Sequence, residues 1–173
     1  MDEIFVVEYD PGWPEMYRAE AERVQSVLPA GLVRAVEHFG STAIPGLVAK
    51  PIIDILIAVR SVPEAREVAM SPMESLGYAF WADNPKRDHL FFVKGLPPQA
   101  RQRTHHVHIT EFNSEIWEQL LFRDYLRIHP EEASRYGALK LELTERYRDD
   151  REAYTDAKTA YIQEIMSLAR LSS

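Results

Sequence analysis

Residues 51–59, PIIDILIAV, constrain this chain more than any other stretch. The run is dense in β-branched residues and flanked by breakers, which specifies a strand. A single carboxylate, Asp54, stands inside it. Side chains alternate across a strand, so Asp54, Leu56 and Ala58 share one face while Ile53, Ile55, Ile57 and Val59 share the other. The β-branched face is the core face. Asp54 therefore points away from the densest packing, toward the side where the loop 41–50 can return. A carboxylate in that position needs either a polar partner or a ligand.

A second strand repeats the pattern. In residues 103–110, RTHHVHIT, His106, His108 and Thr110 share a face, with Val107 and Ile109 opposite. Two strands thus set ligand-capable groups against their aliphatic faces, which is what a site on a sheet requires. Around these strands the chain predicts a short strand or extended arm at 4–9. Asp10 as N-cap and Pro11 at the first helical position open a helix that Pro29 ends. A strand follows at 32–39, then a helix from 63 to 76 stopped by Gly77. Short strands are expected at 78–81, 89–93 and 105–110. After Asn113 three helices are expected, at 114–129, 131–147 and 151–171. The last carries Tyr154, Ala157, Tyr161, Ile165 and Leu168 at three- and four-residue steps. This order predicts one α+β domain over residues 1–173, with a mixed sheet flanked by helices in 1–112 and a helical C-terminal third in 113–173.

The 173 residues suffice for a real core. A formal charge of −7 disfavours a general polyanion binder such as a nucleic-acid coat, while leaving room for a local basic pocket. With no cysteine there is no disulfide, thiolate metal site or cysteine nucleophile. The acidic N-terminus lacks the pattern of a signal peptide, and no apolar run approaches a membrane span. The expectation is a cytoplasmic protein without membrane association.

Cations surround the two polar faces. Lys50 precedes the Asp54 strand, Lys86 and Arg87 precede the His89 strand, and Arg123, Arg127, Lys140 and Lys158 lie on the helices. Beside the Gly40-Ser41 turn they suggest a phosphate pocket, in which the turn supplies backbone N–H groups and a hydroxyl and the cations supply charge. Each residue also has a plainer reading. The Asp can bond to backbone or to a neighbouring Arg, the His-x-His pair can line a solvated strand, and the cations can be surface ion pairs.

The segment HFGSTAIPGLVAKPIIDILIAV resembles the GrpB-like family, a nucleotidyltransferase-like group of unassigned function. The resemblance runs nearly end to end, through VEYDPGWPEMYRAEAERV, HHVHI, LLFRDYLRIHPEEASRYGALKLEL and DREAYTDAKTAYIQEI. It implies a nucleotidyltransferase-like fold. In that superfamily a Gly-Ser turn holds the triphosphate and an Asp-x-Asp or Asp-x-Glu pair binds divalent metal. A third acid on a neighbouring strand completes the site. Gly40, Ser41 and Asp54 match the first parts. Position 56 is Leu56, and the neighbouring strand carries His106 and His108, with Glu111 off-face.

The resemblance implies a nucleotide or other phosphorylated small molecule as ligand. Gly40, Ser41, Lys50, Arg123, Lys140 and Lys158 would hold it, with Asp54, His106 and His108 as the polar or catalytic centre. A divalent metal (Mg²⁺, Mn²⁺ or Zn²⁺) on Asp54, His106 and His108 is one use of that centre; phosphate binding or acid–base work by a histidine is another. Three functions follow: nucleotidyl transfer, nucleotide binding without turnover, and metal-dependent chemistry on the Asp/His/His set.

Overall fold

The computed structural model describes residues 4–85 and 88–173. Lys86 and Arg87, expected beside the site, lie outside the described residues. Helix α1 (Trp13–Val27) leads into strand β1 (Val33–Phe39), and one 3₁₀ turn (Ser41–Ala43) and a loop lead to β2 (Ile53–Val59). Helices α2 (Val62–Val68) and α3 (Met70–Ser75) follow, then strands β3 (Tyr78–Phe80), β4 (Leu90–Lys94) and β5 (His105–Thr110). Helices α4 (Glu115–Ile128), α5 (Pro130–Arg146) and α6 (Arg151–Leu171) complete the chain.

Three sequence expectations shift in detail. Helix α1 starts at Trp13, because the Asp10 carboxylate accepts from the Gly12 N–H at 2.7 Å in a tight local turn rather than capping a helix. Pro14, not Pro11, takes the early helical position. The expected helix 63–76 is two short ones, broken at Ala69. Residues 4–9 form an arm, joined to the body by an antiparallel bridge between Val7 and Ala49 and by Ile4, which donates to the Arg148 carbonyl and packs on Leu143 and Tyr154.

The five strands form one mixed sheet in the order β1-β2-β5-β4-β3. Strand β2 pairs antiparallel with β1 and parallel with β5, in a register that sets Asp54 opposite His106 and Leu56 opposite His108. The two polar faces predicted from alternation are therefore neighbours on one face of one sheet. On the opposite face Ile53, Ile55, Ile57, Val59, Val107 and Ile109 build the main core with Trp13 and Val24 of α1, Ala65 of α2 and Met73 of α3. Each of the Val, Ile and Met side chains contributes roughly 1.5–3 kcal/mol on leaving water.

The Asp54 face is divided. At one level Phe39, Leu56 and Ile116 form a small apolar cluster, closed over by Trp117 and Leu120 of α4. The C-terminal helices meet the loop after β1 in another cluster, where Ile44 and Leu47 pack on Leu126, Ala133, Tyr136 and Ile165. Ser114 caps α4 by accepting from the Trp117 N–H, and Asp150 caps α6 by accepting from the Ala153 N–H.

Leu56 is fully buried in its cluster. Restoring an Asp-x-Asp pair by Leu56→Asp would bury a carboxylate between Phe39 and Ile116. The variant should lose about 3 kcal/mol or more of unfolding free energy in urea titration. Unchanged stability would show that α4 does not close over this level of the sheet.

Candidate functional site

The site begins where β1 ends. Gly40 has φ +72° and ψ −173°, a conformation open essentially to glycine alone, and it turns the chain into the Ser41–Ala43 turn. A Cβ at Gly40 would lie 2.5 Å from Oδ2 of Asp54. The carboxylate thus packs directly against the glycine backbone. The other oxygen, Oδ1, lies 3.2 Å from Nδ1 of His106. Asp54 is flanked by the turn on one side and the neighbouring strand on the other, and part of its side chain remains exposed to the cavity.

Two buried groups hold the turn from behind. His38 Nε2 lies 3.0 Å from the Thr42 hydroxyl, which in turn donates to the Ile52 carbonyl. The His38 ring stacks on Tyr17 at 4.7 Å. Burial lowers its pKa to about 4, with Arg127 and Arg123 acting in the same sense against Asp54, so the ring is neutral near pH 7.

From the C-terminal side α5 and α6 bring cations. Ser41, Thr42, Lys50, Ile52, Asp54, His106, Lys140, Arg151, Tyr154 and Lys158 enclose a cavity of about 170 Å³. Lys140 is buried and donates to the Val48 carbonyl at 2.7 Å. The ammonium groups of Lys50 and Lys158 lie 4.9 and 4.3 Å from the centroid of the buried Tyr154 ring. Burial is the largest influence on all three lysines. It lowers Lys140 to about 7, aided by Lys158 and Lys50, and lowers Lys50 to about 8, aided by Arg151, Lys158 and Arg103. Lys158 is likewise lowered to about 8 by burial, with Arg151 adding to the effect. Asp54 works the other way on each, favouring the charged form.

The sequence-derived candidates divide accordingly. Ser41, Lys50, Asp54, His106, Lys140 and Lys158 converge on the cavity, with Gly40 against Asp54. His108 stands one step up the strand, stacked on Phe91 at 4.5 Å and edge-on to Phe39 at 5.3 Å. Asp54, His106 and His108 each offer a ligand atom, and these atoms lie within 4.8 Å of one another. They form the only such metal-capable group among the described residues. Arg123 is a correction. Its guanidinium donates to Glu37 at 2.6 Å, to the His38 carbonyl at 2.8 Å and to Asp124 at 2.8 Å, and it does not line the cavity. Together with Arg127, which donates to the Ala43 carbonyl at 2.9 Å, it ties α4 to the backbone on both sides of Gly40-Ser41. Sequence reasoning missed Thr42, Ile52, Arg151 and Tyr154 as lining. Arg151, Tyr154 and Lys158 follow i, i+3, i+7 spacing on α6, a signal that was available.

The comparisons agree with this architecture. The family model described as GrpB protein matches residues 3–168. The chain belongs to the GrpB family. It is 46% identical to a UPF0157 protein of Pseudomonas aeruginosa over 97% of this chain and 68% of that protein. It is 30% identical to the glutamate-rich protein GrpB of Alkalihalophilus pseudofirmus, over 95% of each. The crystal structure of conserved protein GrpB from Enterococcus faecalis superposes with a TM-score of 0.85 at 36% identity, over 95% of this chain and 96% of that one. This chain's α+β arrangement, a mixed five-stranded sheet with C-terminal helices, is thus shared with that GrpB structure at the level of the fold. Among the described residues no helix is long and apolar enough to cross a membrane.

Two predictions follow from the cavity. Gly40→Ala should lower stability by roughly 1–3 kcal/mol from backbone strain, with the Asp54 collision in addition, in urea unfolding. The lysines carry a pH signature. A lysine that binds its proton less tightly folded than unfolded costs stability below its folded pKa, and that cost is relieved as pH rises from there toward 10.5. The ligand-free protein should therefore gain stability between about pH 7 and pH 10 from this source. Lys140→Met should flatten that rise and raise stability near pH 6 by an amount on the order of a few kcal/mol. A variant whose pH profile tracks the parent protein would show that Lys140 is not the group responsible.

Proposed function

We propose that the cavity binds the phosphate groups of a nucleotide or another phosphorylated small molecule. The observation that carries this reading is the convergence of Lys50, Lys140, Lys158 and Arg151 on a small enclosed space with one carboxylate, Asp54, in its lining. Burying several like charges together is unfavourable, as the lowered lysine pKa values express. A bound oxyanion relieves that repulsion through charge-assisted hydrogen bonds, and the Gly40-Ser41 turn adds a hydroxyl. At about 170 Å³ the cavity is below the roughly 300–1,000 Å³ of a pocket that swallows a whole drug-sized ligand. It suits the phosphate end of a molecule whose remainder lies at the mouth.

The reaction this reading favours is nucleotidyl transfer, supported by the Asp54–His106 pair. With the Nδ1 proton on the side facing Asp54 Oδ1, 3.2 Å away, Nε2 keeps its lone pair, and that atom is buried without a hydrogen-bond partner among the described residues. In the proposed step Nε2 takes the proton of an acceptor hydroxyl as its oxygen attacks the α-phosphorus. The bond to pyrophosphate breaks, and the leaving group departs among the lysines. Binding without turnover is a second reading, favoured by Leu56 in place of the second carboxylate. Metal-dependent chemistry is a third, favoured by the proximity of Asp54, His106 and His108.

Thermal unfolding against a panel of nucleoside mono-, di- and triphosphates separates these. A ligand at a hundredfold excess over its dissociation constant stabilises the folded protein by about 2.7 kcal/mol. The expected outcome is a nucleotide-dependent rise in Tm that Lys140→Met and Lys158→Met diminish. A rise with transition metal alone, lost in Asp54→Ala, would favour the third reading. Pyrophosphate release that survives His106→Ala undiminished would remove the transfer step and leave the binding reading.

A further inference from the structure

The nucleotidyltransferase pattern calls for a hard divalent cation on paired strand carboxylates, and the residues here offer one carboxylate with two imidazoles in place of that pair. The position that would supply the second carboxylate is Leu56, fully buried against Phe39 and Ile116 beneath α4. This is more than a replaced side chain, because the helix has closed over that level of the sheet. The remaining carboxylate is flanked on two sides and reaches the cavity with only part of its surface. Its Oδ2 is pressed against the Gly40 backbone and its Oδ1 faces His106 Nδ1. A hard dication prefers several oxygen ligands with room for water. Of the three hydroxyls in the lining, on Ser41, Thr42 and Tyr154, that of Thr42 is already donating to Ile52 and in contact with His38.

Charge points the same way. Around Asp54 stand Lys50, Lys140, Lys158 and Arg151, each lining the same cavity. A dication entering there meets up to four positive groups and one negative. A phosphate or pyrophosphate anion meets the reverse. Lys140 spends one of its three donors on the Val48 carbonyl, leaving two to point elsewhere. Lys50 and Lys158 are held over the Tyr154 face, so their positions are set before a ligand arrives.

We infer that the cavity takes its phosphate group as a free anion with no bound divalent cation, and that Lys50, Lys140 and Lys158 supply the positive charge that a metal supplies elsewhere. This inference rests on the phosphate-binding reading and adds to it the ionic form of the ligand. It has an unusual consequence. Mg²⁺ should weaken binding of a polyphosphate, since the cation competes with the lysines for the same oxygens in solution.

The test is isothermal titration of the full chain with inorganic pyrophosphate and inorganic phosphate, first in EDTA and then in excess Mg²⁺. The expected result is binding in EDTA that Mg²⁺ reduces for pyrophosphate. Lys140→Met and Lys158→Met should each weaken binding about tenfold, the scale of one charge-assisted hydrogen bond. The variants remove a buried cation (Lys140) and a half-buried one (Lys158) from a crowded set, and circular dichroism is the check that both fold. Leu56→Met serves as a control on the same sheet and should leave affinity unchanged. Binding that requires Mg²⁺ or Mn²⁺ overturns the inference while leaving the phosphate-binding reading in place. Absence of binding by phosphate, pyrophosphate and nucleotides under both conditions removes that reading and the inference with it. Metal-free binding that is indifferent to both lysine substitutions also overturns the inference, because the anion is then held elsewhere.

Discussion

The contact between the Asp54 carboxylate and the Gly40 backbone is the constraint on which the rest of the site depends. Any side chain at position 40 would occupy the space of Oδ2, so the turn and the strand can meet only if that residue is glycine. Once they meet, several placements follow. The turn brings Ser41 and Thr42 to the cavity, and the loop after it brings Lys50 to its edge. The parallel pairing of β2 with β5 then sets His106 against the other carboxylate oxygen. Asp54 is thus a joint between two strands and a turn as well as a charge.

That joint carries an electrostatic load. Three lysines and an arginine share a small enclosed space, and burial together with mutual repulsion draws the lysine pKa values down toward neutrality. A structure selected only for stability would replace these groups with apolar ones, since a cluster of like buried charges costs free energy. Their retention is understandable where an anion completes the site. Tyr154 and Tyr136 ease the cost by presenting ring faces to the ammonium groups, the former to Lys50 and Lys158 and the latter to Lys140.

Arg123 shows how one residue type serves two ends. On a helix near a suspected phosphate site it reads from sequence as an anion ligand. In the folded chain its donors go to Glu37, Asp124 and the carbonyl of His38, and so it anchors α4 to the strand that ends in Gly40. An arginine whose planar fork engages two carboxylates and a carbonyl is a fastener. Arg127 does the same for the turn itself through Ala43. Their removal would disturb the site through backbone placement rather than through loss of a ligand contact.

Much of this was legible without coordinates. The alternation in residues 51–59 and 103–110 assigns the faces of two strands, since side-chain direction in a strand is local and has period two. Glycine and serine at 40 and 41 mark a turn for equally local reasons, and the three C-terminal helices follow from periodicity and capping residues. Local chemistry does not say which strands are neighbours. That β2 pairs with β5 in the register joining Asp54 to His106 is decided by packing of the whole sheet. Helix docking likewise decided which cations enter the site, because a helix residue's partners depend on the angle at which α4, α5 and α6 meet the sheet. Lys140, Lys158 and Arg151 were turned inward and Arg123 toward an ion pair by tertiary contacts alone. The sequence by itself determined which residues could do chemistry here; only the tertiary structure decided which of them share one cavity, since charges distant in sequence feel one another only after the chain has excluded water between them.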